Sequence, residues 1–339
     1  MDLRQYAAVT DRQSSRPCAL VLAPMRGPGF DRLQELADVV YDPFIEHTPL
    51  KLHSEEDLAK RLAEENATII ISEADKVAGA VLDQPLTVIG STRGDPTNVD
   101  IPAATAKGIP VLRAPGRNAD AVAEITVALM FAANRHIVGA DQDVRAGQIY
   151  KDGTIPYQRF RAWQLAGRTA GIVGYGAIGR ALAWRLEGLG MRVIASDPYA
   201  DDATYSLDDL LGEADVVSMH APVTDETKRM IGKEQFAKMK DGALYLNAAR
   251  AALHDTDALV EALRSGKLAG AGLDHFEGEW LDPNHELAKL PNVVLTPHIG
   301  GATYDTESNH ARMIVDDIAA VLTGQQPKNC VNPEVLKGR

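Results

Sequence analysis

Short apolar, β-branched runs alternate along this chain with Ala/Leu-rich stretches whose apolar positions recur at helical spacing. In the first third the runs predict strands at 18–23, 38–41, 68–72, 87–90 and 110–112, with helices between them. Ser54, with Asp57 three residues on, caps one such helix ahead of Leu58, Leu62 and Ala63. Asp100 before Ile101-Pro102 opens a short helix that Gly108 ends. A long helix from Ala119 to about Arg135 leads into a polar stretch around 145–158. A second alternating set then predicts strands at 170–173, 192–196, 216–219, 244–247, 270–274 and 293–296, followed by a last helix at about 306–322 and a Pro/Asn-rich tail. Strand–helix alternation of this kind builds parallel sheets with helices on both faces. The fold class expected is therefore α/β, with two Rossmann-like or flavodoxin-like parallel-sheet domains in tandem.

Composition narrows the classes. With 339 residues, two domains are expected at about 150 residues each. Hydrophobic residues make up 45% and charged residues 24%, ordinary values for a globular chain. The net charge of −12 disfavours phosphate backbones and anionic lipid, so neither nucleic acid nor membrane is an expected partner. The longest apolar stretch, 125–133, is half a membrane span. Cys18 and Cys330 allow no disulfide framework or thiolate metal cluster, and no histidine has metal-ligand spacing, so no metal is expected. Met1-Asp2-Leu3-Arg4-Gln5 lacks the basic and apolar regions of a secretory signal. A cytoplasmic setting is the expectation.

The strongest local signal is Gly174-Tyr175-Gly176-Ala177-Ile178-Gly179. Alone, a G-x-G-x-x-G run is a common turn. Here it follows an apolar strand and precedes a helix, and Asp197 closes the next strand about 20 residues on. Gly174 suits a tight turn, Gly176 lets backbone approach a pyrophosphate, and Gly179 lets helix and strand pack closely. Exposed N–H groups at the helix start would hold the phosphates. Asp197 would accept from ribose hydroxyls and repel the additional phosphate of NADP; Pro198-Tyr199 follows, without an Arg to cradle that phosphate. NAD is the expected cofactor.

Other polar residues cluster at predicted strand ends, where open α/β sheets bind ligands. They are His220 before Ala221-Pro222, Asn247-Ala248-Ala249-Arg250, Asp274, and Thr296-Pro297-His298-Ile299-Gly300-Gly301. An Arg, a His and carboxylates at neighbouring strand ends can bind a carboxylate, move a proton and tune the proton carrier.

These blocks resemble the D-isomer-specific 2-hydroxyacid dehydrogenases, which include glyoxylate/hydroxypyruvate and 3-phosphoglycerate dehydrogenases. The resemblance runs over nearly the whole chain in five ordered blocks. They are Asn98-Val99-Asp100 through Val122-Ala123-Glu124; the glycine run with Asp197; His220-Ala221-Pro222 with Thr224 and Thr227; Asn247 to Arg250; and Leu273-Asp274 through Thr296-Pro297-His298. The resemblance implies a catalytic set of Arg250, Glu279 and His298. Arg250 would bind the substrate carboxylate, His298 would carry the proton, and Glu279 would hold the imidazole and favour its charged form. It also implies that Asp274 faces the nicotinamide and that Ile178, Pro222, Thr227 and Ala248 line the cofactor cleft, with His220 beside them. Arg93 and Gly94, in the loop Ser91 to Pro96, fall on the family's substrate loop. Residues 1–118 and 301–339 would form a substrate domain and 119–300 the NAD domain, with a cleft between them and a homodimer built through the NAD domain.

Several positions depart from the family pattern. Ala251 replaces a Gly, Trp280 a Pro, His275 an apolar residue and Ile125 a His, and the substrate loop carries Arg93 and Asp95 where small residues are usual. Arg93 would suit a small substrate with a second anionic group, or would simply pair with Asp95. The histidines other than His220 and His298 read as structural or exposed. The reaction expected is NAD-dependent interconversion of a small 2-oxo acid and its D-2-hydroxy acid. The alternatives are a dehydrogenase of a hydroxyphosphonate or phosphorylated hydroxy acid, and an NAD-sensing corepressor or scaffold on the same fold.

Overall fold

The computed structural model describes residues 16–337. They fall into two compact units, one running up to Arg117 and resuming at Thr303, the other comprising Asn118–Ala302.

The first unit holds β1 (Cys18–Val21), β2 (Asp38–Tyr41), β3 (Ala67–Ser72), β4 (Val88–Ser91) and β5 (Val111–Leu112), in the order β2-β1-β3-β4-β5, every pair parallel. Successive residues point to opposite faces, and both faces are buried. Leu20, Ile70 and Ile89 join one core; Ala19, Val21, Ile69, Ile71 and Val88 join the other. The second core is closed by the helix Tyr304–Leu322, whose Ala311, Ile314, Val315 and Ile318 recur at helical spacing. Each large aliphatic side chain buried there contributes about 1.5–3 kcal/mol. That gain ties the last helix to the first sheet. Ser54 caps the helix Glu55–Glu64 by accepting from Asp57 N–H at 3.1 Å, and Asp100 caps Ile101–Ala106 by accepting from Ala103 N–H at 3.0 Å.

The second unit holds β6 (Thr169–Val173), β7 (Arg192–Ser196), β8 (Val216–Met219), β9 (Ala243–Asn247), β10 (Leu268–Leu273) and β11 (Val293–Leu295). Their order is β11-β10-β9-β8-β6-β7, again all parallel. The order reverses between β6 and β8, and loops leave their carboxyl ends in opposite directions there. The long helix Ala119–Asn134 ends where His136 adopts a left-handed φ of 53°. A second helix, Ile137–Arg145, precedes the stretch read from sequence only as polar, and a short helix, Pro156–Arg159, forms at the end of that stretch. Among the described residues no single helix is long and apolar enough to cross a membrane.

Candidate active site

β9, β10 and β11 are neighbours, so the loops leaving their carboxyl ends lie side by side. Buried polar residues at the ends of β9 and β10 knit these loops together. Asn247 accepts from Ala249 N–H at 3.0 Å and donates to the Arg250 carbonyl at 2.9 Å, which shapes the turn that presents Arg250. Asp274 is 0% exposed. Its Oδ1 accepts from Thr296 Oγ1 (2.6 Å) and Ile299 N–H (2.9 Å), its Oδ2 from Gly300 N–H (2.7 Å), and its carbonyl from His298 N–H (2.9 Å). A buried carboxylate needs such donors, and here they clamp the loop carrying His298.

Glu279 and His298 both adopt left-handed φ values, 55° and 54°. Backbone of this kind in non-glycine residues persists only where the surroundings hold it, and it gathers at functional sites. Here it brings Glu279 Oε1 to 3.0 Å from His298 Nδ1, with both side chains about half exposed. Nδ1 is thereby committed and Nε2 is left for a ligand. Arg250 is exposed; its Nη1 donates to the Ala249 carbonyl at 2.6 Å and lies 3.5 Å from His275 Nε2. No carboxylate among the described residues pairs with it, so its charge is available to an anion.

His275, expected to be a structural or exposed histidine, is buried within this constellation. Its ring centre is 3.8 Å from that of His298, and its Nδ1 is 3.7 Å from Glu279 Oε1. Burial, reinforced by the charge of a protonated His298 and by Arg250, pushes its pKa down to about 4, so it is neutral near pH 7. The signal available in the sequence was the departure itself, an imidazole where the resembled family's pattern implies an apolar side chain.

The glycine run lies where the strand order reverses, the position at which open α/β sheets bind ligands. Gly174 has φ 92°, and a Cβ there would sit 2.4 Å from Ala221 N, so only glycine lets the loops after β6 and β8 approach this closely. A Cβ on Gly179 would lie 2.4 Å from the Gly174 carbonyl oxygen. Over Gly176 the space is open, with no atom within 4 Å of a Cβ position. The helix Ala177–Gly188 starts there with no side-chain cap on its N–H groups, and Ile178 is half-buried in its first turn. Asp197 accepts from Tyr175 N–H at 2.7 Å and Tyr199 N–H at 2.9 Å, tying the end of β7 to the glycine turn. This open, uncapped turn fits a dinucleotide pyrophosphate, and the acid fits its ribose.

The other expected cofactor residues follow β8 and β9. Thr227 Oγ1 donates to the Pro222 carbonyl at 2.6 Å and accepts from Thr224 N–H at 2.8 Å, so this hydroxyl holds its own loop. Ala248 is buried. His220 Nε2 lies 2.8 Å from Ser218 Oγ, and burial lowers its pKa to about 4. A neutral histidine is a poor general acid.

Arg93 and Gly94 belong to the first unit, in the loop after β4. Asp95 is not the partner of Arg93: Arg93 Nε donates to the Glu73 carbonyl and Nη1 to Thr97 Oγ1, both at 2.8 Å. The Gly94 carbonyl accepts from Arg113 Nη1 at 3.4 Å. Glu73 itself pairs with Arg117, whose Nη1 donates to His310 Nδ1 at 2.7 Å.

Comparison with known proteins agrees with this geometry. Residues 127–300 match the family described as D-isomer specific 2-hydroxyacid dehydrogenase, NAD binding domain. A glyoxylate reductase from Thermofilum pendens is 40% identical over 336 residues, covering 96% of this chain and 97% of its own. A solved structure from Thermus thermophilus has a TM-score of 0.78 at 39% identity, covering 93% of this chain and 99% of its own. An NAD-complexed D-isomer specific 2-hydroxyacid dehydrogenase from Lactobacillus delbrueckii ssp. bulgaricus has a TM-score of 0.76 at 26% identity, covering 93% of this chain and all of its own.

Proposed function

The chain belongs to the D-isomer specific 2-hydroxyacid dehydrogenase family, and on that premise we propose that Arg250, Glu279 and His298 carry its reaction. It is an NAD-dependent dehydrogenase that interconverts a 2-oxo acid and its D-2-hydroxy acid, and glyoxylate is the first small substrate to try. The observation that carries the assignment is an Arg250 with no carboxylate partner among the described residues on one loop, beside Glu279 and His298, 3.0 Å apart, on the next two. Arg250 binds the substrate carboxylate with its planar fork of donors. His298 gives a proton from Nε2 to the carbonyl oxygen during reduction, and takes it back during oxidation. Glu279, on Nδ1, fixes the ring and stabilises the imidazolium. Bound NAD supplies the hydride acceptor or, reduced, the hydride donor. Gly174, Gly176, Gly179 and Asp197 would hold its pyrophosphate and ribose, with Ile178, His220, Pro222, Thr227, Ala248 and Asp274 around them.

We assign residues 119–300 to the cofactor domain, and 1–118 with 301–339 to the substrate domain, where Arg93 and Gly94 contact substrate. A cytoplasmic homodimer belongs to the same reading. Its support is a run of exposed apolar side chains in the cofactor unit, among them Val144, Tyr150, Tyr157 and Trp163, at 60%, 79%, 75% and 73% exposure. The test is a screen of the purified protein with NADH against glyoxylate, hydroxypyruvate and pyruvate, and with NAD against the hydroxy acids, following NADH absorbance. Absence of turnover with every 2-oxo acid would sink the assignment. One observation favours a second reading, in which the substrate bears an additional phosphate, phosphonate or carboxylate. Among the described residues Arg93 is bonded only to neutral acceptors, so no partner there cancels its charge. Arg93→Ala should then raise KM more for a doubly charged substrate than for glyoxylate; an equal, small change for both means that Arg93 only shapes its loop.

A further inference from the structure

His275 serves none of the steps assigned above, yet it is the most enclosed side chain of the constellation. Its side chain is 3% exposed, and its Nδ1 is buried with no hydrogen-bond partner among the described residues. Leaving a buried imidazole nitrogen unpaired is costly, which marks it as a group to be explained. That nitrogen faces Glu279 Oε1 at 3.7 Å, and Glu279 Oε1 is in turn 3.0 Å from His298 Nδ1. One ligand atom from each of His275, Glu279 and His298 falls within 4.8 Å of the other two.

We propose that His275, Glu279 and His298 form a binding site for Zn²⁺, and that its occupancy reversibly switches the dehydrogenase off. Two imidazoles and one carboxylate with a fourth position open is a donor set that zinc takes, whereas Mg²⁺ and Ca²⁺ demand more oxygen. Zinc bonds of about 2.0–2.2 Å place tetrahedral ligand atoms roughly 3.4 Å apart. The two separations to Glu279 Oε1, 3.0 and 3.7 Å, bracket that figure, and the two imidazole nitrogens lie within 4.8 Å of each other, so the rings must draw together around the metal to close the site. Arg250, 3.5 Å from the far nitrogen of His275, opposes a second cation by charge, and this keeps the metal exchangeable. Zinc would replace the proton between Glu279 and His298, which leaves to solvent. The imidazole then has neither its carboxylate partner nor freedom to cycle a proton. An apolar side chain at position 275, usual in the resembled family, leaves only two of the three ligands.

The inhibitory consequence rests on the reading of His298 as proton carrier, but the site does not, so metal binding is measured without substrate. The full-length protein is stripped with chelator and titrated with Co²⁺ as a spectroscopic stand-in, then with Zn²⁺ in competition. Expected are one cobalt per chain with the visible d–d bands of a tetrahedral site, its displacement by zinc, and loss of dehydrogenase activity with zinc that chelator restores. His275→Phe should weaken metal binding by about 100-fold or more, beyond the 10–100-fold that a lost outer-shell partner costs. His275→Asn, which keeps a polar side chain, and Glu279→Gln should weaken it comparably if the Phe variant folds poorly. Absence of cobalt bands in the parent protein, or undiminished binding in folded variants, overturns the proposal. Binding without any dehydrogenase activity would instead overturn the functional assignment and leave the site standing.

Discussion

Replacing Asp274 by Asn tests whether the His298 loop is held as its contacts indicate. The two carboxylate oxygens accept backbone N–H groups in different directions, Ile299 on Oδ1 and Gly300 on Oδ2, at 2.9 and 2.7 Å. An amide offers one oxygen. Whichever way it is turned, one of these N–H groups faces an NH₂ group at hydrogen-bond distance. A buried donor left unsatisfied costs about 1–3 kcal/mol, and the surviving bonds lose their charge assistance. The sum is roughly 2–4 kcal/mol, a large share of the 5–15 kcal/mol that holds an ordinary domain together. His298 follows directly on this clamp through its N–H to the Asp274 carbonyl, so release of the loop misplaces the proposed proton carrier. At 1.4 kcal/mol per tenfold, a fall of about 10²-fold in kcat/KM is expected. Urea unfolding and steady-state kinetics measure the two effects together, with NAD affinity from titration as the third reading. Unchanged unfolding and unchanged kcat/KM would refute the clamp. Loss of NAD binding at unchanged stability would show that the carboxylate acts on the cofactor directly.

Three further outcomes follow from other parts of the chain. His298→Ala should lower kcat by about 10²–10⁴-fold with little change in NAD affinity, while Arg250→Ala should raise KM as well; near-normal turnover without His298 would move the search to another proton carrier. Asp197→Ala should narrow the preference for NAD over NADP, but because Asp197 also accepts from Tyr175 N–H, affinity for both cofactors should fall; equal use of both by the unaltered protein would exclude the charge argument. His254 and His310, pushed down to about 4 chiefly by burial and for His310 also by Arg117, are neutral when folded and bind protons near pH 6.5 when unfolded. The unfolded state takes up more protons between those values, so stability is full above about pH 6.5 and falls as pH drops toward 4, by up to about 1.4 kcal/mol per pH unit for each histidine. A urea midpoint that is the same at about pH 7.5 and pH 5 would contradict this.

The sequence by itself determined the strands and the glycine turn and singled out Arg250, Glu279 and His298 as candidates, because each is written in local order. Strands buried on both faces read as apolar runs, the glycine fingerprint is contiguous, and Arg250, Glu279 and His298 sit in recognisable short blocks. Strand 192–196 and strand 216–219 have the extents their residues predict. What the local pattern did not carry is adjacency. The order β11-β10-β9 brings three distant loops together, and it results from helices covering both faces of a sheet rather than from any motif. Only that neighbourhood encloses His275 against Glu279 and His298, residues whose spacing along the chain resembles no metal motif. The same holds for Arg93. From sequence, Asp95 two residues away is the nearest countercharge, whereas in the fold Glu73 and Thr97 are the groups within reach. Partners of long polar side chains are chosen by burial and distance in three dimensions, and a linear pattern records neither.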